Sequence, residues 1–393
     1  MFSELNSIDI AGWKDNPNVV AQIGRIIEKA SWRKSVFEPI LGKGADRGIR
    51  TYLVKNNQPY RPRLKSQLRG EGVVGNADFD TNYDNLEILS QTIYPKVVGN
   101  ALKSPIKQYS AIEFIDFTKE SVDSLTDWTQ EKRDRNFITA LSNDFTNAVV
   151  CDATNGYKDT TAHASVPQAT ATLKKGDICN VKALRRAIFM ARSGINYQGK
   201  EAFPLKPIKS ETITQSGLSI AHYSYIILLD TYQVNQLKND VEWIEMQKYA
   251  GVRGDKNNLF SGLIGEVDGC LVIDMGVWTK MQSGFLNSEV SDSDFLANIN
   301  AQNHTLLTPP STYKGADTHT SIGALIGASA LVIAGDNSVN FYIDDTQDAG
   351  RKIVCGADRL LAISKGRFEA EDGVLSPYSN TDFAVIGIFS AKE

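Results

Sequence analysis

The stretch from residue 49 to residue 100 limits most sharply what this chain can fold into. It reads as short β-like runs, 49–54 and 60–68, split by Asn56-Asn57-Gln58-Pro59, a pattern that predicts a hairpin. Next comes Leu68-Arg69-Gly70-Glu71-Gly72-Val73-Val74-Gly75, where three glycines allow backbone angles that other residues resist. Residues 76–85 are turn-rich, and 86–98 look extended again before Pro105. None of this supplies a continuous apolar face, and a ribbon of two strands is at best marginally stable alone in water. The segment therefore projects from a body and packs on something else.

Its neighbours in sequence suggest what that body is. Asn16 can cap a helix with Pro17 at its first position, and Val19, Val20, Ile23, Ile26, Ile27 and Ala30 recur at spacings of three and four. Gly42-Lys43-Gly44 then breaks the chain, so the first forty or so residues read as an N-terminal arm. One apolar stripe does not say whose core it enters, and a helix folded back on its own domain stays open. Residues 110–150 form the longest helical region, interrupted by the wholly polar TQEKRDRN, which requires exposure or a polar neighbour. Residues 151–176 read as a loop, and Asp177 is expected to cap a helix carrying Leu184, Ile188 and Ala191. Residues 223–229 (YSYIILL) predict a buried strand. Asp230 opens a helix through Leu237, residues 240–250 form another, and 269–273 a short strand. Residues 322–333 are small and apolar, with a helical reading around 327–331, and the chain ends in FAVIGIF. Helices and strands mix without a βαβ rhythm, which predicts an α+β fold.

The inventory of chemistry is empty. Four cysteines, Cys151, Cys179, Cys270 and Cys355, show no CxxC spacing and read as reduced, buried thiols. His163, His222, His304 and His319 are too scattered for a helical metal pair. Gly42–Gly48 spaces as GxGxxxG without a preceding strand, and Gly327-Ala328-Ser329-Ala330-Leu331 lacks the second glycine of a nucleophile elbow. The acidic groups Asp344-Asp345 with Asp348, and Asp292 with Asp294, match no calcium loop and read as solvated turns. A net charge of −4 has the wrong sign for wrapping nucleic acid. The N-terminus lacks a cationic and then apolar export signal, and no apolar run would span a bilayer. No catalytic, metal or cofactor site is expected. A detachable arm, a projecting loop and a long exposed helix suit an assembly subunit.

At these residues the chain resembles the major capsid proteins of tailed bacteriophages, specifically the N4-like podovirus group. The resemblance is carried by FEPILGKGADRGIR (37–50), LRGEGVVG (68–75), Asp127-Trp128 with Arg133-Asp134, YIILLDTYQVNQLKND followed by Trp243, and NLFSGLIGEVDGCLVID (258–274). It implies the Hong Kong 97-like fold. The implied divisions are an arm (1–48), an extended loop (49–104), a peripheral domain with a spine helix (105–177), an axial domain (178–340) and C-terminal strands returning to the peripheral domain (341–393). The implied function is structural: hexamers and pentamers tile an icosahedral head around double-stranded DNA, assembled in the bacterial host cytoplasm with portal, scaffolding and decoration proteins as partners. Two other classes stay open, an encapsulin-type cellular compartment and an enzyme whose site forms only in the tertiary structure.

Charge patterning then suggests which surfaces meet. Between residues 43 and 69 eight basic side chains, among them Arg61, Arg63, Lys65 and Arg69, face a single acid, Asp46. Between 112 and 131 six acids, among them Glu113, Asp116, Glu120, Asp123 and Asp127, face a single base, Lys119. The expected contact is the basic loop of one copy on the acidic spine helix of the next. Gly70, Gly72 and Gly75 are expected to form a hinge that fits the loop to inequivalent neighbours.

Overall fold

The computed structural model describes residues 17–54, 64–65, 72–76, 78–79, 88–89, 93, 95–105, 114–142, 145–202, 204–215, 218–250, 263–275, 313, 315–336, 338–367 and 381–392. Its helices are α1 (Pro17–Arg33), α2 (Phe114–Ser142), α3 (Val166–Thr170), α4 (Val181–Ser193), α5 (Thr231–Lys238) and α6 (Val241–Ala250). Its strands begin with β1 (Leu41–Gly42), β2 (Ile49–Leu53), β3 (Leu64–Lys65), β4 (Ile88–Leu89), β5 (Lys96–Lys103), β6 (Ala148–Asp152), β7 (Gly156–Tyr157), β8 (Ile208–Gln215) and β9 (Leu218–Ser224). They continue with β10 (Ile226–Leu229), β11 (Leu263–Val267), β12 (Cys270–Asp274), β13 (Thr320–Ile326), β14 (Leu331–Gly335), β15 (Asn340–Asp344), β16 (Val354–Lys365) and β17 (Val385–Ala391).

Two sheets organise the chain. The first runs β1-β2-β14-β16-β15, with β5 paired to β16; the second runs β11-β12-β10-β13-β17-β6-β7. In the second, β13 and β17 pair from Thr320↔Ala391 to Ile326↔Val385, and every residue of both strands is buried. Strands buried on both faces lose the alternation that marks a one-sided sheet. One core joins the sheets: Ile226–Leu229, Leu325 and Phe389 of the second pack in the same cluster as Ile49, Leu331 and Ile333 of the first and Phe137 of α2.

The helix at the start folds back on its own chain, so residues 17–48 are not a detached arm. Val19, Ile23 and Ile27 of α1 are buried against Val122 and Leu125 of α2, against Phe341 and Cys355 of the first sheet and against Ile353 just before β16. Gly24 permits this approach, since a Cβ there would lie 2.0 Å from the Val339 carbonyl oxygen. Residues 1–16, with the expected cap Asn16, lie outside the described residues.

Of the expected hairpin of 49–54 with 60–68, only Leu64 and Lys65 of the second run are described, and among the described residues the two runs do not pair. β2 is flanked by parallel strands, β1 on one side and β14 on the other, while β3 pairs antiparallel with β4 across more than twenty intervening residues. The two ends of the loop, β2 and β5, are thus strands of the first sheet rather than projections.

The expected boundaries shift for the same reason, strand pairing across the chain. Of residues 341–393, expected to return together to the peripheral part, β15 and β16 join the first sheet whereas β17 pairs with β13 and β6 in the other. β6 and β7, expected with the spine helix, lie in the second sheet, and β14, expected in the axial part, lies in the first. The run 322–333 is not helical: β13 and β14 are strands, and residues 327–330 turn between them with Ser329 at φ 62°. A continuous apolar run has no period that separates strand from helix.

Locally, Asn180 rather than Asp177 caps α4, its side chain accepting from the Ala183 amide at 2.9 Å. Asp177 instead accepts from the amides of Ala153 and Lys174 and pairs with Lys158 at 2.6 Å. The presumed loop 151–176 contains β7 and α3.

Candidate inter-subunit surfaces

The long helix α2 separates two polar sets onto different faces. Its outward face carries Glu120, Asp123 and Asp127, all exposed and spaced i, i+3, i+7. Asp127 forms an ion pair with Lys34 of the same chain, at a position where both side chains are more than half exposed. Asp116 stands on the same helix with its side chain outside the described residues, and Glu113 lies outside them altogether. Of the expected basic partners, Arg61, Arg63 and Arg69 also lie outside, and Lys65 is placed only as a residue of β3 opposite Ile88. Among the described residues the two sets are not brought together within one chain.

The other polar set is buried. Arg133, 1% exposed, lies 3.4 Å over the Trp32 ring, donates from Nη1 to Ser31 Oγ at 3.2 Å, and sits 4.0 Å from Glu28. Glu28 accepts both a bidentate contact from Arg359 Nη1, at 2.8 and 2.9 Å, and the Trp32 indole N–H at 2.7 Å. Asp134 accepts from Ser35 Oγ at 2.6 Å and from Gln130 Nε2 at 2.5 Å. Burial pushes the Arg133 guanidinium down to about 10, with Glu28 and Asp134 holding it up, and pushes the Asp134 carboxyl above its ordinary range. This network ties α1 to α2 and β16. It is the polar neighbour that TQEKRDRN required, and its partners from outside α2, Glu28, Ser31, Ser35 and Arg359, lie about a hundred residues away in sequence or farther. Only the Arg133-Asp134 pair of the family resemblance pointed to it.

The glycine segment presents itself to solvent. Gly72 and Gly75 lie in the left-handed region at φ 74° and 73°, and nothing stands within 4 Å of a Cβ built on either. Between and beyond them Val74 is 86% and Phe79 69% exposed. Gly70 lies outside the described residues.

Nothing in the described residues assembles catalytic chemistry. Among the described residues no group of three His, Cys, Asp or Glu residues could hold a metal ion, and no helix is long and apolar enough to cross a membrane. His304, Asp292 and Asp294 lie outside the described residues, while Asp344 and Asp348 form turn bonds with Thr346, Gln347 and Arg351. Two clefts of about 240 and 250 Å³ open, one beside β6, β7 and α4 and the other between α1 and the first-sheet strands β1, β2, β14 and β16.

Comparison with known proteins supplies the identity that geometry alone does not. A family model described as phage capsid protein matches residues 60–393. The major structural protein ORF14 of Helicobacter pylori bacteriophage KHP30 is 46% identical over 406 residues, covering all of both chains. The acidic stable capsid structure of that phage superposes with a TM-score of 0.71 over 92% of each chain. The capsid of Ralstonia phage GP4, 17% identical, shares the fold at a TM-score of 0.59 over 90% of each. A full-length relative that is a phage structural protein favours neither the enzyme nor the cellular compartment, and the α+β architecture is that of the phage capsid fold. With a family model over residues 60–393 and a relative 46% identical along the full length, this chain belongs to the phage capsid protein family, as a major structural protein of a tailed phage's virion.

Proposed function

We propose that copies of this chain assemble as hexamers and pentamers into the icosahedral head of a tailed, N4-like, podovirus-type phage. The head encloses double-stranded DNA without binding it specifically. Scaffolding, portal and decoration proteins assist, and assembly takes place in the host cytoplasm. The observation that carries the reading is the segment around Gly72–Phe79, whose large apolar side chains Val74 and Phe79 stay exposed on a chain whose own core is filled. Such side chains are covered in an assembly, whose stable interfaces bury more than about 1,000 Å².

In this reading the first sheet with α1 and α2 is the peripheral part and the second sheet the axial part. Arg61, Arg63, Lys65 and Arg69 of one copy meet Glu120, Asp123 and the remaining acids of α2 in the next. Asp127 contributes less to this contact, because Lys34 already neutralises it within the chain. Gly70, Gly72 and Gly75 form the hinge; two of the three already adopt a backbone that β-branched residues resist. Reversal of Arg61, Arg63 and Lys65 to Glu abolishes closed particles at low salt, where attraction is least screened. Lys at Glu120, Asp123 and Asp127 restores them. Normal particles from the first variant refute the contact.

A further inference from the structure

The outward face of α1 carries charge of one sign. With the apolar stripe turned inward, Asn18, Ala21, Gln22, Arg25, Lys29 and Arg33 stand exposed. Glu28, the one acid of the helix, is 12% exposed and is engaged by Arg359 and Trp32. Arg25, Lys29 and Arg33 recur at i, i+4 and i+8, so they rise about 6 Å apart along the axis. Among the described residues none of the three forms an ion pair; the bases of this region that do are Lys34, Arg133 and Arg359. Like charges at i, i+4 repel, so the arrangement works against the helix that carries it unless an anion meets it.

We propose that this stripe contacts the phosphate backbone of duplex DNA, without regard to sequence, on the inner wall of the shell; the inference rests on the reading that the shell encloses DNA. From Arg25 to Arg33 the stripe spans about 12 Å, a length over which a duplex presents about seven phosphates. A protein partner fits the face poorly. The core of a protein interface is rich in aromatic side chains and poor in lysine, and Asn18, Ala21 and Gln22 offer no large apolar anchor between the bases. A polar, cationic face is the composition of a protein–DNA interface. The net charge of −4 does not oppose the contact, because screening over about 8 Å leaves the field at the stripe to its own neighbours. On the adjoining α2, Asp127 is paired with Lys34, and the basic loop of the next copy covers Glu120 and Asp123 in the proposed assembly. Val19, Ile23 and Ile27 anchor α1 in the core, so the three bases stand on a fixed scaffold before any contact forms.

The test is fluorescence anisotropy of the soluble full chain with two duplexes of unrelated sequence, over a range of sodium chloride concentrations. Equal affinity for both duplexes is expected. In the variant Arg25→Gln/Lys29→Gln/Arg33→Gln the slope of log affinity against log salt becomes shallower by about 2.7, three contacts at about 0.9 each. Arg25→Lys/Arg33→Lys keeps the slope of the unmutated chain, since a phosphate contact needs the charge. Lys182→Gln/Arg185→Gln, which removes bases already paired with Glu242 and Asp268, leaves the slope in place. An unchanged slope in the triple variant overturns the proposal. So does a triple variant that binds DNA as before but no longer forms particles, which makes the partner another copy. In DNA-filled particles formaldehyde is expected to join Lys29 to the bases. Particles of this chain that hold DNA but yield no Lys29 adduct overturn the inference and leave the head standing; particles that hold none overturn the head, and the duplex titration then decides the stripe by itself.

Discussion

Asp230 makes this chain more stable as the pH falls, through a buried carboxyl at the start of α5. The residue is fully buried; Oδ2 accepts from Ser321 Oγ at 2.5 Å, and Oδ1 has no hydrogen-bond partner. Burial pushes the carboxyl up to about 6, against the pull of Ser321, of Lys392 and of the first-turn amides of Thr231 and Tyr232. A carboxyl raised in the folded state binds more protons folded than unfolded, so its contribution is complete below the unfolded value and is lost as pH rises through about 6. Between about pH 7.5 and pH 5 the gain is about 1.4 kcal/mol, one unit's worth below the folded value. Asp230→Asn removes the titration while keeping the shape. Urea midpoints of the unmutated chain and of this variant, converted to free energies at both pH values, isolate the group from the histidines and from Asp134. The difference between the two proteins is expected to shift by about 1.4 kcal/mol in favour of the unmutated chain on acidification. An equal pH dependence in both proteins refutes the reasoning.

Removing Glu28 by alanine leaves Arg133 and Arg359 buried without their shared carboxylate, and is expected to cost about 3–5 kcal/mol, read as a lowered denaturation midpoint or loss of soluble chain. Ala349, at φ 54° between Asp348 and Gly350, which are also left-handed, is expected to gain up to about 1 kcal/mol on replacement by glycine, measured by thermal unfolding. Gly72→Ala meets no neighbour, so its cost is confined to backbone strain of about 1 kcal/mol, whereas Gly24→Ala drives a methyl into the Val339 carbonyl and costs about 1–3 kcal/mol. A Gly24→Ala variant as stable as the parent would show that α1 does not pack on the first sheet as described.

What the sequence made legible were elements whose pattern is local. YSYIILL contributes the buried strand β10, the repeat from Val19 to Ala30 is α1, and α5 and α6 start beside Asp230 and Asp240. What it hid depends on distant partners. The stripe on α1 has the same period whether it enters its own core or another's, and only Val122, Leu125 and Phe341 settle that. Arg133 and Asp134 look solvent-bound within a polar string because Glu28, Ser31 and Ser35 are remote in sequence. The run through β13 and β14 carries no period because both strands are buried on two faces. The architecture became legible through motif order, since no single segment implies two sheets sharing one core. The acidic spacing on α2 was readable, and within the chain Asp127 meets Lys34.

The central claim is that this chain forms the shell of a phage head, and imaging the particles that contain it tests that most directly. Cryo-electron microscopy of purified virions is predicted to show a closed icosahedral shell built of this chain around packed DNA. In that shell the segment around Val74 and Phe79 is covered by a neighbouring copy, and the basic loop lies along the outward face of α2. A shell made of a different protein, or a chain whose loop packs wholly onto its own body, would contradict the account.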